Sequence, residues 1–145
     1  MVLKNRPGFT LIEMILVIGI ITIIMAIGVP IYLSLSNNSQ LDAATDVLAQ
    51  DMYIAQTNSR SQKDDNSWGV NVAGQTITLF SGNNFAGRDT GRDIVYSVPS
   101  SIVVTPGQII YSKLYGLPQS TAAFNLQNKD RTRSLQVNSK GMVEY

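Results

Sequence analysis

The residue with the most distinctive chemistry in this sequence is Glu13, a carboxylate at the start of a long apolar segment. Residues 14–41 contain no charged side chain at all. Placing a carboxylate in membrane hydrocarbon costs roughly 2.5 to 3.5 kcal/mol on insertion scales, so such a group is usually paired and usually marks a function. We therefore expect Glu13 to act by ion pairing, and its partner is the first question that the sequence raises.

Catalytic chemistry has little support in the composition. The chain has no histidine and no cysteine, so the common nucleophile–base pairs and the sulfur or imidazole metal sites cannot be assembled. It also lacks the Gly-x-x-x-x-Gly-Lys-Ser/Thr loop that binds phosphates. Asp64, Asp65 and Asn66 offer oxygen ligands suited to calcium, but adjacent polar side chains in a loop are more often solvated. The sequence predicts a protein that is not an enzyme, with no cofactor and no metal.

The apolar segment that follows Glu13 is long enough to cross a membrane. About 20 mostly apolar residues span a bilayer as a helix, and residues 9–32 supply that length. A chain of 145 residues is too short to enclose so long a helix in a core, and no small-residue cleavage site of a secretory signal peptide follows it. Lys4 and Arg6 precede the segment and the next cation is Arg60, so the positive-inside tendency places the N-terminus in the cytoplasm and the C-terminal bulk beyond the membrane.

A second helical pattern follows the apolar segment. Pro30 cannot donate a backbone hydrogen bond, and the Ser/Asn-rich residues 34–40 are weak helix formers, so we expect the helix to be weakest over residues 30–39. Beyond them, apolar side chains recur at helical spacing while acidic and amide side chains face away. The pattern predicts an amphipathic helix that packs on a sheet and ends near residues 60–63. Its packing stripe comprises Leu41, Ala44, Leu48, Met52 and Ala55.

The remainder of the chain is a series of short alternating segments separated by turn residues. Short strands at this spacing after one long helix predict an α+β layered domain. The intervening residues 81–93 and 115–121 are expected to form exposed loops. The predicted strands cover residues 68–72, 75–80, 94–98, 102–105, 109–111, 122–126, 134–138 and 142–145.

The N-terminal residues resemble a known export signal. Arg-Pro-Gly at residues 6–8 followed by Phe-Thr-Leu-Ile-Glu at residues 9–13 resembles the class III signal of type IV pilins and type II secretion pseudopilins. The resemblance implies cleavage between Gly8 and Phe9 by a membrane prepilin peptidase and N-methylation of the new Phe9 amine. It also places Glu13 at the family's glutamate position, and Pro30 at the proline that bends the N-terminal helix.

The resemblance also implies a division of the chain and a fold. Residues 1–8 are a cytoplasmic leader, residues 9–33 a transmembrane and filament-core helix, and residues 34–63 its amphipathic continuation. Residues 64–145 form a β-rich domain outside the cytoplasm. The implied fold is the type IV pilin-like fold, in which the long helix packs on a C-terminal antiparallel sheet.

Cleavage after Gly8 supplies the cation that Glu13 needs. The cut creates an α-amino group at Phe9, four residues before Glu13, and methylation keeps that amine charged. In a filament of packed helices, Glu13 of one subunit can accept the Phe9 ammonium of its neighbour. Such a pair mainly sets register and selects subunits, because desolvation offsets much of its attraction. Gly8 has no Cβ, which allows close approach of a peptidase to its backbone.

The C-terminal half resembles a narrower group. A Trp-Gly-Val strand at residues 68–70 and the hairpin over residues 134–143 are similar to those of FimT/GspH-type minor pilins and pseudopilins, which are low-abundance subunits at or near a filament tip. The implied function is a structural minor pilin of a type IV pilus-type filament. Three alternatives stay open: a minor pseudopilin of a type II secretion system, a DNA-binding minor pilin for natural transformation, and a major pilin.

The partners and location implied by the resemblance follow from that function. The partners are other pilin or pseudopilin subunits, the prepilin peptidase, the inner-membrane assembly platform, and membrane lipid before assembly. The location is the cytoplasmic membrane and then an extracellular or periplasmic filament.

DNA is the weakest of the expected partners. On a continuous strand Lys129, Arg131 and Arg133 share one face and form a small phosphate-binding edge, although Asp130 intervenes. Loss of Lys4 and Arg6 with the leader reduces the eleven Lys and Arg residues to nine, against ten Asp and Glu. Three cations on a nearly neutral chain would give only weak, salt-sensitive binding to nucleic acid.

Overall fold

One long helix followed by antiparallel strands makes up the part of the chain that the computed structural model describes, residues 8–145. The predicted leader cations Lys4 and Arg6 lie outside the described residues. The α+β prediction is confirmed. The elements are α1 (Leu11–Arg60), β1 (Trp68–Ala73), β2 (Thr76–Ser81), β3 (Ile94–Ser97), β4 (Val103–Val104), β5 (Gly107–Tyr111), β6 (Ala122–Gln127), β7 (Thr132–Val137) and β8 (Val143–Glu144), with short 3₁₀ helices at Lys63–Asp65 and Thr90–Arg92.

The chain divides into two compact units, Met1–Ser36 and Asn37–Tyr145. In the first unit, the large apolar side chains of the described residues are exposed, from 45% at Ile21 to 86% at Phe9. Within the described residues, α1 is one helix whose apolar part has the length and composition to cross a membrane, and none of that part is buried. So much bare apolar surface requires lipid or other helices around it.

The helix continues through the region where the sequence predicts its weakest part. α1 is unbroken from Leu11 to Arg60 and contains Pro30 and residues 34–40. A proline removes one intrahelical hydrogen bond, and the remaining residues of this stretch keep their own backbone donors. The predicted end near residues 60–63 is confirmed at Arg60.

The core of the second unit lies between α1 and the two sheets. The five residues of the predicted packing stripe are all fully buried, which confirms the helical periodicity read from the sequence. They share one hydrophobic cluster with β-strand residues such as Val70, Leu79, Ile109, Phe124 and Leu135. Burial of this stripe at about 25 cal/mol per Å² of apolar area is the main reason why the second half of α1 stays helical.

The strands form two four-stranded antiparallel sheets. The first has the order β3-β2-β1-β5 and the second the order β4-β6-β7-β8. In the first sheet, Ala73 pairs with Thr76, so the hairpin loop consists of Gly74 and Gln75, one residue beyond the turn that the sequence suggests. Gly74 has a φ of 59°, and glycine is favoured at the first position of such two-residue loops.

The loop between β2 and β3 covers the outer face of the first sheet. Phe80 is fully buried although it faces away from α1, and its ring meets that of Phe85 edge to face at 5.3 Å. Arg88 stacks on Phe85 at 3.7 Å and pairs with Asp93 at 2.7 Å. Residues 81–93 were expected to be exposed, but Phe85 and Arg88 are half-buried, because Phe80 needs apolar cover.

Polar side chains attach the far part of α1 to both sheets. Ser59 donates from its hydroxyl to the Tyr111 carbonyl at 3.1 Å and accepts the Trp68 amide at 2.9 Å. Gln56 donates to the carbonyls of Gly116 at 3.0 Å and Lys140 at 3.4 Å. These bonds join the end of the helix to β1, β5 and the turn before β8.

Candidate processing and assembly site

The first described residues form an open, non-helical segment. Residues 8–10 precede α1, which begins at Leu11. Phe9 is 86% exposed, and a Cβ added to Gly8 would meet nothing within 4 Å. The bond between Gly8 and Phe9 therefore lies in exposed backbone outside the helix, so that cleavage there would not require the helix to unwind.

Thr10 and Glu13 form a reciprocal cap at the start of α1. The Thr10 amide and the Thr10 hydroxyl both donate to Glu13 Oε2, each at 2.9 Å. The Glu13 amide in turn donates to Thr10 Oγ1 at 3.3 Å. This is a capping box, in which the N-cap side chain and the glutamate three residues later satisfy each other's backbone donors.

The cap changes the interpretation of Glu13. Sequence reasoning gave the carboxylate a partner only in an assembled filament, whereas the structure gives it two donors in the isolated chain. An acidic group in the first turn also interacts favourably with the helix dipole. The Thr-x-x-Glu spacing before an apolar run is a recognised sequence signal for this motif, so it could have been found in advance.

Apolar side chains surround the cap. Phe9, Ile12, Leu16 and Val17 line a groove beside Glu13, and each of them is 48% or more exposed. The helix therefore presents one carboxylate on an otherwise apolar surface. Within the described residues, that carboxylate accepts hydrogen bonds from the Thr10 amide and hydroxyl.

Comparison with known proteins gives one decisive result. Residues 3–29 match the family model described as the prokaryotic N-terminal methylation motif. This match supports the type IV pilin and pseudopilin family, and it covers the N-terminal segment of the chain. The long N-terminal helix followed by antiparallel sheets agrees with the motif, and the exposed apolar part of that helix is consistent with a prepilin-like subunit anchored in the inner membrane. No curated protein and no solved structure matches the chain significantly, so the FimT/GspH assignment stays a prediction.

Of the three cations predicted as a nucleic-acid edge, the structure brings Arg131 and Arg133 to the same carboxylate. Arg133 binds Asp42 of α1 through two nitrogens, at 2.9 and 3.0 Å. Arg131 lies 3.6 Å from the other carboxylate oxygen of Asp42. Lys129 is exposed. Sequence reasoning missed Asp42 because it is 91 residues away from Arg133 in the chain.

The acidic residues after α1 are also engaged in ion pairs. Asp64 pairs with Arg92, and Asp65 pairs with Lys113. Arg92 also binds Asp89 at 2.9 Å, and these carboxylates hold the pKa of Arg92 above its ordinary value. Within residues 8–145, no cluster of three or more acidic, histidine or cysteine side chains has the arrangement of a metal site.

Asp51 is a buried acid that the sequence analysis did not single out. It lies on α1 beside the buried stripe and is only 8% exposed. Burial alone raises its pKa from 3.8 to about 6. Burial likewise raises the pKa of Tyr111 to about 12.

Proposed function

We propose that this protein is a minor pilin, a non-enzymatic structural subunit of a type IV pilus-type filament. In this proposal the peptidase cuts after Gly8, Phe9 is N-methylated, and the subunit assembles through α1. The division into residues 1–8, 9–33, 34–63 and 64–145 describes leader, membrane helix, amphipathic helix and outer domain.

The capped carboxylate on a bare apolar helix is the observation that carries the proposal. The described side chains of α1 in the first unit are not buried, so this part of the helix needs lipid before assembly and other subunits after it. Glu13 is the one charged side chain between residues 9 and 41. The Thr10 donors reduce the cost of holding Glu13 in the membrane, since a carboxylate that accepts hydrogen bonds is less poorly solvated. The inserted subunit can therefore be stable in the bilayer before it joins a filament.

Assembly would exchange one set of partners for another. When a new subunit joins, the Phe9 ammonium of one chain and the Glu13 carboxylate of its neighbour can form an ion pair in a low-dielectric environment. An unpaired buried charge costs about 3–5 kcal/mol when its partner is removed. A misaligned subunit would incur that cost, so the pair acts as a register check.

Orientation and partners complete the proposal. Lys4 and Arg6 keep the leader in the cytoplasm, where the peptidase and the assembly platform act, and the outer domain faces away from it. The same site would serve a pseudopilin of a type II secretion system. A DNA-binding role is less favoured, because Asp42 neutralises Arg133 and so leaves only two of the three cations to hold the phosphates of a duplex.

The experiment compares Glu13→Gln with Thr10→Val in cells that contain the peptidase and the filament machinery. We expect both variants to insert, to be cut after Gly8 and to gain a methyl group, as read by mass spectrometry. Glu13→Gln should be lost from sheared filaments, and Thr10→Val should be reduced. The wild type should be a minor component of the same fraction. Normal incorporation of Glu13→Gln would refute the assembly role, and wild type as the dominant band would refute the minor role.

A further inference from the structure

The turn between β6 and β7 is attached to the part of α1 that directly follows the proposed membrane segment. Asn128 donates through its side-chain amide to the Asn37 carbonyl at 3.2 Å and to Asn38 Oδ1 at 3.0 Å. Its own side-chain oxygen accepts the amides of Asp130 at 2.9 Å and Arg131 at 2.7 Å, which fixes the turn. The turn and these helix residues thus belong to one hydrogen-bonded cluster within the second unit.

Chain length alone keeps this cluster close to a membrane surface. Asn37 follows residue 33, the end of the proposed membrane segment, by four residues, which correspond to about 6 Å of helix. Even fully extended, four residues reach only about 14 Å. The headgroup layer outside the hydrocarbon is about 5–7 Å thick on each side. The turn bound to Asn37 is therefore within reach of the lipid phosphates while the membrane segment of α1 is in the bilayer.

The charges of the turn match that layer. Lys129 and Arg131 are exposed, and Arg133 is the partner that neutralises Asp42. Counting Asp130, the cluster keeps a formal excess of one positive charge. Lys and Arg have long stems that allow the charged head to reach a nearby polar layer.

We propose that Lys129 and Arg131 bind the phosphates of anionic phospholipids on the membrane surface beside the second unit. This inference rests on the membrane insertion of α1 in the proposed function. A contact with so few cations is weak for a free ligand, but the tether to the bilayer supplies a high effective concentration of headgroups. Duplex DNA has no such tether, and strong binding to it takes roughly six to ten phosphate contacts. The geometry therefore favours lipid over nucleic acid.

The test uses the full chain in nanodiscs of phosphatidylcholine alone or mixed with phosphatidylglycerol. Because the chain has no cysteine, Thr132→Cys gives a single site for an environment-sensitive dye beside the turn. Ser139→Cys, in the turn that follows the other end of β7, is the matched control. We expect the Thr132 dye, and not the Ser139 dye, to shift to the blue and to resist acrylamide quenching in the anionic discs.

The variants separate charge from other causes. Lys129→Gln combined with Arg131→Gln keeps the pair of Arg133 and Asp42, so the fold is retained, and Trp68 fluorescence checks this. Each cation removed should weaken the contact roughly fivefold. High salt should also weaken it. Lys129→Arg in the otherwise unchanged chain should bind as the wild type does, because it keeps the charge. Equal protection in neutral and anionic discs, or no effect of the double variant, would overturn the proposal.

Two further measurements locate the cause of a negative result. A dye at Ile24→Cys should be shielded in every disc, and an exposed dye there would mean that the membrane insertion of the proposed function is wrong. Duplex DNA is added to the protein in neutral discs as the alternative phosphate ligand. Binding that needs Lys129 and Arg131 while anionic lipid has no effect would make nucleic acid the ligand and would overturn the lipid proposal.

Discussion

Replacing Asp51 with asparagine should stabilise the protein at neutral pH. The carboxyl of Asp51 is desolvated on α1, and its pKa rises from 3.8 to about 6. It therefore binds its proton more tightly in the folded protein than in the unfolded chain. The resulting stability is complete below about pH 4 and is lost as the pH rises through about 6. Asparagine resembles the protonated form and cannot ionise.

The size of the effect follows from the two pKa values. The difference between pKa values of 3.8 and about 6 corresponds to at most roughly 3 kcal/mol, by which the ionised carboxyl lowers the free energy of unfolding at neutral pH. Linkage predicts that the stability difference between Asp51→Asn and wild type grows by roughly 2.5 kcal/mol from pH 4 to pH 8. Other carboxylates titrate equally in both proteins, so the difference isolates Asp51.

Urea unfolding of the full chain in nonionic detergent measures this difference. Trp68 is the only tryptophan and is 3% exposed, so its fluorescence reports the second unit. Asp46→Asn is the control, because Asp46 is an exposed aspartate on the same helix, and it should change stability by less than about 0.5 kcal/mol. A difference for Asp51→Asn that stays constant from pH 4 to pH 8 would refute the reasoning, since it would mean that the carboxyl is solvated in the folded protein.

Two glycine substitutions test the packing of the second unit with the same urea assay. Gly141→Ala should destabilise by about 1–3 kcal/mol, since Gly141 has a φ of 82° and its new methyl group would overlap the side chain of Gln56; unchanged stability would show that Gln56 can move away. Gly69→Ala should also cost about 1–3 kcal/mol, because its Cβ would lie 2.6 Å from the Ile109 carbonyl oxygen and 2.8 Å from the Phe80 ring. A neutral result for Gly69→Ala would contradict the tight packing of the outer sheet face.

Periodic burial is the part of the fold that the sequence predicts best. The stripe from Leu41 to Ala55 and the alternation in β6 follow directly from which faces are apolar. The order of strands in two separate sheets could not be predicted, because it depends on pairings between residues far apart in the chain. The cover of Phe80 by Phe85 was missed because it depends on how the loop after β2 folds back onto the sheet.

In the candidate site, too, local features could be predicted from the sequence and tertiary contacts could not. Glu13, Phe9 and Gly8 stand out from local spacing alone, and so would the cap of Thr10 if the Thr-x-x-Glu pattern had been applied. The pairing of Asp42 with Arg133 depends on tertiary contact between α1 and β7. Sequence reasoning therefore overestimated how much charge this edge has available for nucleic acid.

The attachments of α1 to the sheets determine how the second unit would resist pulling. Asn37 and Ser59, which bind the sheets near the two ends of the packed half of α1, are separated by 22 residues, or about 33 Å of helix. A force along the helix must therefore shear both sets of bonds together with the buried stripe between them, instead of peeling the strands away one by one. Resistance to such a force depends on the rate of unfolding more than on equilibrium stability. A protein held together without any disulfide can in this way carry tension through its longest helix.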